Sequence, residues 1–367
     1  MFYIHQATCI SPQQTFSGTK IDLSREYESV DNRMRVLEPP YPGIPDNILR
    51  RMAKAVRMGV GTALPLIREA GDRPPEGIII GTANGGMEES VKFLKQIIEY
   101  KEEMLTPGNF VQSTPNAISS QISLLSKNKG YNITHVHRGL AFENAVIDAA
   151  MMLAENPQNS YLVGGVDEIA TYHYNLENLA GSYKKEAVSS MHLYETDSPG
   201  SIAGEGAAMF LVNGIKANAL AKLQGLVTLH SSAGEAVTRQ LQDFLDGHVA
   251  SGGERPSVAG VKPDLFLTGE NGDNRVSHFY TACEAILGKD MPVARYKHMS
   301  GEYPTAAAFA LWVACQVMGG QSLPGHMIKR TSSKAETGKV EGAYKNVLIY
   351  NNYKGIQHSF MLVSRVG

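Results

Sequence analysis

One short pattern occurs twice in this 367-residue chain, and it limits the possible folds more than any other feature. Ile78-Ile79-Ile80-Gly81-Thr82-Ala83-Asn84-Gly85-Gly86 aligns with Leu265-Phe266-Leu267-Thr268-Gly269-Glu270-Asn271-Gly272-Asp273. Each copy is an apolar run that passes through Asn-Gly into a helical pattern. Apolar runs without alternation indicate strands covered on both faces, as in parallel sheets. Two further pairs follow in the same order. The apolar helix after Gly139 matches the one after Pro304, and the strand Met209 to Val212 matches Phe360 to Val363. Three ordered pairs predict an internal duplication, with similar α/β halves at 1–214 and 215–367 forming one compact unit.

The remaining segments fit that class. Met1 to Ile10 is expected to be a strand, followed by a proline-rich loop near Pro39 to Pro45. Asp46 is a plausible N-cap for an amphipathic helix bearing Leu49, Met52, Val56, Val60 and Ile67, which Pro65 should kink or restart. Tyr161 to Val166 and Ala207 to Val212 are further expected strands. Thr305 to Met318 carries no charge but has 14 residues, short of the ~20 that span a bilayer. It is expected to be a buried helix, and no membrane span is predicted.

Composition excludes several functions. The net charge is −2, so no basic surface for nucleic acid is indicated. Cys9, Cys283 and Cys315 are far apart, odd in number and outside any CxxC, which supports neither a disulfide framework nor a zinc ribbon. The N-terminus has no basic export signal. A reduced cytoplasmic setting is expected, with no cofactor and no metal.

A series of motifs, in order along nearly the whole chain, resembles the β-ketoacyl synthases (3-oxoacyl-acyl carrier protein synthases). Arg50-Arg51-Met52 with 53–70 is similar to that family's first long helix, and Ser113-Thr-Pro-Asn-Ala117 to its Pro-Asn turn. Gly164-Gly165-Val166-Asp167 resembles the Gly-Gly-x-acid strand end, and Gly204-Glu205-Gly206-Ala207-Ala208 matches the Gly-Glu-Gly-Ala-Ala motif. The stretch 288–297 followed by Gly301 resembles the approach to the second catalytic histidine. The resemblance implies a thiolase-like fold, duplicated βαβαβ halves in α-β-α-β-α layers.

The family chemistry needs a cysteine thiolate at a helix N-terminus, two imidazoles and an oxyanion hole. The resemblance places these groups on residues of other kinds. Asn132 plus seven is Gly139, where the cysteine is expected, ahead of Leu140-Ala141. The first histidine falls among Thr268, Glu270 and Asn271, and the second on Glu302 after Lys297. The family's glycine loop becomes Asn351-Asn352-Tyr353-Lys354-Gly355-Ile356-Gln357. Removing a covalent nucleophile lowers turnover by about 10⁶ in a well-studied hydrolase. The catalytic set is therefore expected to be degenerate, with a Lys297–Glu302 salt bridge preferred over a protonated Glu302.

Other residues have plain readings beside functional ones. Cys283 imitates a nucleophile motif in Thr281-Ala282-Cys283-Glu284 but is expected to pack. His135 and His137 share a face at strand spacing and suit a pocket or subunit interface better than a metal. Tyr353 and Lys354 are further pocket or interface candidates. Asn84-Gly85-Gly86 could cradle phosphate, although its second copy indicates a fold feature.

The resemblance implies a non-catalytic, chain-length-factor-like subunit in fatty acid, polyketide or aryl polyene synthesis. Its partners would be an active ketosynthase, in a heterodimer, and acyl carrier protein. Known chain-length factors often carry Gln at the cysteine position, from which Gly139 departs. Two alternatives stay open: a 3-oxoacyl synthase or acyltransferase with displaced groups, and a homodimeric acyl-binding protein.

Overall fold

A computed structural model describes residues 1–16, 28–71, 73–247, 258, 260–332 and 344–367. The first part of the chain runs β1 (Phe2–Ile10), β2 (Arg33–Met34), α1 (Asp46–Leu49), α2 (Lys54–Glu69), β3 (Gly77–Gly81), α3 (Met87–Glu99), α4 (Pro107–Val111), α5 (Ala117–Ser126) and β4 (Tyr131–His135). It continues with α6 (Ala141–Glu155), β5 (Ser160–Asp167), α7 (Thr171–Leu179), β6 (Ala203–Gly204) and β7 (Gly206–Asn213). Then come β8 (Ala221–His230), α8 (Gly234–Asp246), β9 (Leu265–Thr268), α9 (Ser277–Leu287), β10 (Val293–Arg295), α10 (Lys297–Ser300) and α11 (Ala306–Met318). β11 (Ile328–Arg330), β12 (Asn346–Tyr353) and β13 (Gln357–Arg365) complete the order.

The strand order repeats. β4-β3-β5-β7-β1 and β10-β9-β12-β13-β8 follow one scheme, third-second-fourth-fifth-first. In both, the second strand pairs in parallel with the third and fourth, while the fifth pairs antiparallel with the fourth and first. A short antiparallel ladder between β1 and β8, through Tyr3 and Lys222, joins the two into one eleven-stranded sheet.

Layering follows from residues that alternate between two apolar environments. Ile78 and Ile80 face the cluster built on α2 and α5, whereas Ile79 faces the central one. In the second half Phe266 and Leu348 face α8 and α9, whereas Leu267 and Ile349 face the centre. Such strands read as unbroken apolar runs because both faces are dry. The central layer holds α6 and α11 between the two halves. In α11 all residues except Gln316 are buried, so the uncharged stretch is a core helix. The layers are thus α-β-α-β-α, and no helix among the described residues is long and apolar enough to cross a membrane.

Two local expectations need correction. Asp46 is the first helical residue, and no side chain caps α1, which ends at Leu49 before α2 begins. α2 runs through Pro65 without ending or restarting there. Burial of Ala63, Leu64 and Leu66 around it offsets the ~3 kcal/mol that an interior proline costs.

Asp167, at the end of β5, ties the two halves together. Its Oδ1 accepts from Thr82 Oγ1, Ala83 N and Asn84 N, and its Oδ2 accepts from Thr305 N and Oγ1. Burial raises its pKa to about 6 against these five donors, which leaves a carboxylate at pH 7. Gly85 N meanwhile donates to Thr82 Oγ1. The Asn84 and Gly85 amides are therefore engaged inside the protein, which counts against a phosphate cradle at that turn.

Candidate functional site

The corner where β4 turns into α6 is built from Val136 to Leu140. Arg138 has φ +50°, the left-handed conformation found at sharp strand-to-helix elbows, and Gly139 and Leu140 follow in a tight 3₁₀ turn. The strained backbone thus sits one residue before Gly139. Gly139 itself is buried, and a Cβ added there would overlap Cβ and Cγ of Tyr353. Its amide donates to Gln357 Oε1 at 2.9 Å. The end of the β12–β13 hairpin therefore covers the corner and occupies the amide that could otherwise serve an oxyanion.

All three cysteines are buried elsewhere. Cys9 lies in β1, Cys283 in α9 and Cys315 in α11. Burial pushes the thiols of Cys9 and Cys283 up to about 12 and raises Cys315 as well, so none is poised as a thiolate. The packing role expected for Cys283 agrees with its place among Phe279, Tyr280 and Val293.

Glu302 joins two of the other expected positions. Its Oε1 accepts from Lys297 Nζ at 2.6 Å and its Oε2 from Asn271 Nδ2 at 2.8 Å. Lys297 is fully buried. This is the preferred salt bridge, with Asn271 as its second donor. Thr268 and Glu270 stand apart from it. Thr268 ends β9 with its Oγ1 buried and without a hydrogen-bond partner, and Glu270 pairs with Lys329 at 2.7 Å and Arg295 at 3.8 Å. The shared anion centre is thus Glu302, which neutralises a buried ammonium.

Glu302 and Asn271 line a cleft of about 560 Å³, whereas Lys297, Thr268 and Glu270 are not in its wall. Its walls include Asn271, Glu302, Tyr303, Tyr353 and Lys354, together with Glu168, Glu177, Tyr174 and Tyr183, whose roles sequence reasoning did not assign. Lys354 sits at the hairpin tip, with φ +55°, and pairs with Glu177 of α7, which also accepts from Ser182. Burial raises the Glu177 pKa, but the Lys354 and Ser182 hydrogen bonds outweigh it and hold it below the usual carboxyl range. Tyr174 and Tyr183 stack at 4.9 Å, with the Arg33 guanidinium 4.0 Å from the Tyr174 centroid. Glu168 directly follows the Gly-Gly-x-acid strand end, a sequence signal that could have found it, whereas Glu177 lies within α7 with no motif around it.

His135 and His137 do not enter the cleft wall. His135 Nε2 pairs with Asp148 at 2.8 Å, and His137 Nδ1 bonds to the Asn144 amide at 2.9 Å, so both face α6. No cluster among the described residues could hold a metal ion. Glu205, in the Gly-Glu-Gly motif, is structural: it accepts from Val36 N, Ile169 N and Lys54.

Residues 28–192 match the family model of the beta-ketoacyl synthase N-terminal domain. A beta-ketoacyl synthase from Burkholderia phymatum superposes with a TM-score of 0.75 at 15% identity, covering 100% of this chain and 99% of that one. The ishigamide ketosynthase/chain length factor gives 0.76 at 14% identity, with 100% and 99% covered. A ketosynthase in complex with its chain length factor from Xenorhabdus doucetiae gives 0.71 at 13%, with 99% and 98% covered. The fold is that of the ketosynthases. No curated protein matches this chain. Within the ketosynthase fold, the strand order, the five layers and the matched N-terminal domain agree with the resemblance carried by the motifs.

Proposed function

We propose that this chain is a ketosynthase-like subunit that does not condense acyl groups itself but shapes the acyl site beside an active ketosynthase. The observation that carries the reading is the corner at Gly139. It has no thiol, the Tyr353 ring fills the space a side chain would need, and Gln357 takes its amide. Glu302 adds to the argument, because an anion at that place opposes the negative charge that decarboxylative condensation develops.

Association is supported by an open edge. β4 is the terminal strand of the sheet, bonded to β3 on one side only. Tyr131 and Val136 are exposed beside it, and Met151 is exposed on α6. An unpaired edge strand flanked by apolar side chains is a ready surface for a second subunit. The neighbouring structures include a ketosynthase with its chain length factor and a type II polyketide synthase acyl-carrier protein with its ketosynthase. In this reading residues 1–214 and 215–367 act as one unit, in the cytoplasm, and acyl carrier protein visits the pair.

Co-expression with a cysteine-bearing ketosynthase tests the pairing. The reading expects a stable one-to-one complex. A chain that stays homodimeric beside such ketosynthases would favour the acyl-binding homodimer instead.

A further inference from the structure

Glu168 follows Asp167 at the end of β5 and lines the cleft while remaining 6% exposed. Its Oε1 is buried without a hydrogen-bond partner. The groups that surround its carboxyl are mostly of its own sign. Glu88 and Glu89 come from α3, and Glu205 from the turn between β6 and β7. Lys54 of α2 is the cation among them, and it is already paired with Glu205.

The rest of the cleft narrows the ligand. Its cations are matched by carboxylates, Lys354 by Glu177 and Arg275 by Asp273 at 2.6 Å. The Glu302 carboxylate is occupied by Lys297 and Asn271. A free carboxylate or phosphate entering here would meet no unmatched lysine or arginine on these walls and three glutamates around Glu168. A buried polar atom without a partner, by contrast, gains a full hydrogen bond when a ligand supplies one.

We propose that Glu168 anchors a neutral carbonyl ligand, donating a hydrogen bond from its carboxylic acid to the oxygen of an acyl thioester held non-covalently in the cleft. Burial, followed by repulsion from Glu89 and Glu205, raises its pKa to about 8, so the acid carries its proton at pH 7. The inference rests on the reading of the cleft as a non-condensing acyl site.

Titration calorimetry on the full-length chain with octanoyl-N-acetylcysteamine thioester, and with octanoate as the charged control, tests it. At pH 6 the thioester binds and octanoate does not. By pH 9 only about a tenth of a group with that pKa keeps its proton, so thioester affinity falls about tenfold. Glu168→Gln, which keeps a donor that does not titrate, binds the thioester equally at both pH values. Glu168→Leu binds about tenfold more weakly at pH 6. No thioester binding at pH 6, an equal affinity in Glu168→Leu, or a Glu168→Gln profile that still falls with pH overturns the assignment. Intact mass spectra of the same samples separate the two readings: an octanoyl adduct on this chain contradicts the non-condensing function, whereas its absence leaves the calorimetry to decide the role of Glu168.

Discussion

The Tyr353 ring stands where a side chain on Gly139 would have to go, with Cβ and Cγ both inside the overlap distance. Restoring a thiol at this corner is therefore a steric problem before it is a chemical one. Gly139→Cys is expected to lower stability by about 1–3 kcal/mol, the usual effect of overpacking. Tyr353→Ala relieves the overlap, so the double variant should be more stable than the sum of the two single changes predicts. Urea denaturation of the four proteins measures this, and strict additivity would contradict the contact.

Lys297 and Glu302 form an ion pair whose ammonium end is fully buried, and removal of Glu302 leaves that charge without its partner. Glu302→Gln strands a fully buried ammonium and should cost about 3–5 kcal/mol. The joint change Lys297→Met with Glu302→Leu should cost much less, because no charge is left uncompensated. Denaturation midpoints for the single and double variants test the ordering.

The fold was legible because its signal is periodic and repeated. The apolar runs at Ile78 and Leu265, each followed by Asn-Gly, mark the second strands of two equivalent half-sheets. The candidate site was legible only in part. Lys297, Glu302 and Asn271 converge, but whether Thr268, Glu270 or Asn271 would face Glu302 depended on a turn whose direction no local pattern encodes. The closing of Gly139 by Tyr353 joins positions more than two hundred residues apart. The pairing of Lys354 with Glu177 is likewise non-local. Strand spacing placed His135 and His137 on one face, but β4 ends at His135, and it is α6 that supplies partners to both.

Besides Asp167, two buried acids contribute to the pH dependence. Burial raises the pKa of Glu143 to about 7, partly offset by the Ser359 hydrogen bond, and that of Glu168 to about 8. Between the ordinary carboxyl range and these values the folded chain holds protons that the unfolded chain has lost. Their contribution to stability is therefore complete below about 4.5, and it is lost as pH rises through 7 and 8. The Glu143→Gln, Glu168→Gln double variant should therefore lose less melting temperature between pH 5 and pH 9 than the unaltered chain does. Equal slopes would contradict the burial of these charges.

The open edge of β4 predicts where a partner attaches. Val136 is 54% exposed and Met151 65% exposed, so a charge at either should leave the fold intact. Val136→Asp with Met151→Asp should weaken association with a ketosynthase at least tenfold in analytical ultracentrifugation, with an unchanged melting temperature. Unchanged association would move the interface elsewhere.

The central claim is that this chain never carries the acyl group. Intact mass spectrometry of its complex with a cysteine-bearing ketosynthase, after incubation with acyl-acyl carrier protein, tests it most directly. The account predicts an acyl adduct on the ketosynthase and an unmodified mass for this chain. An acyl adduct on any residue of this chain would contradict it.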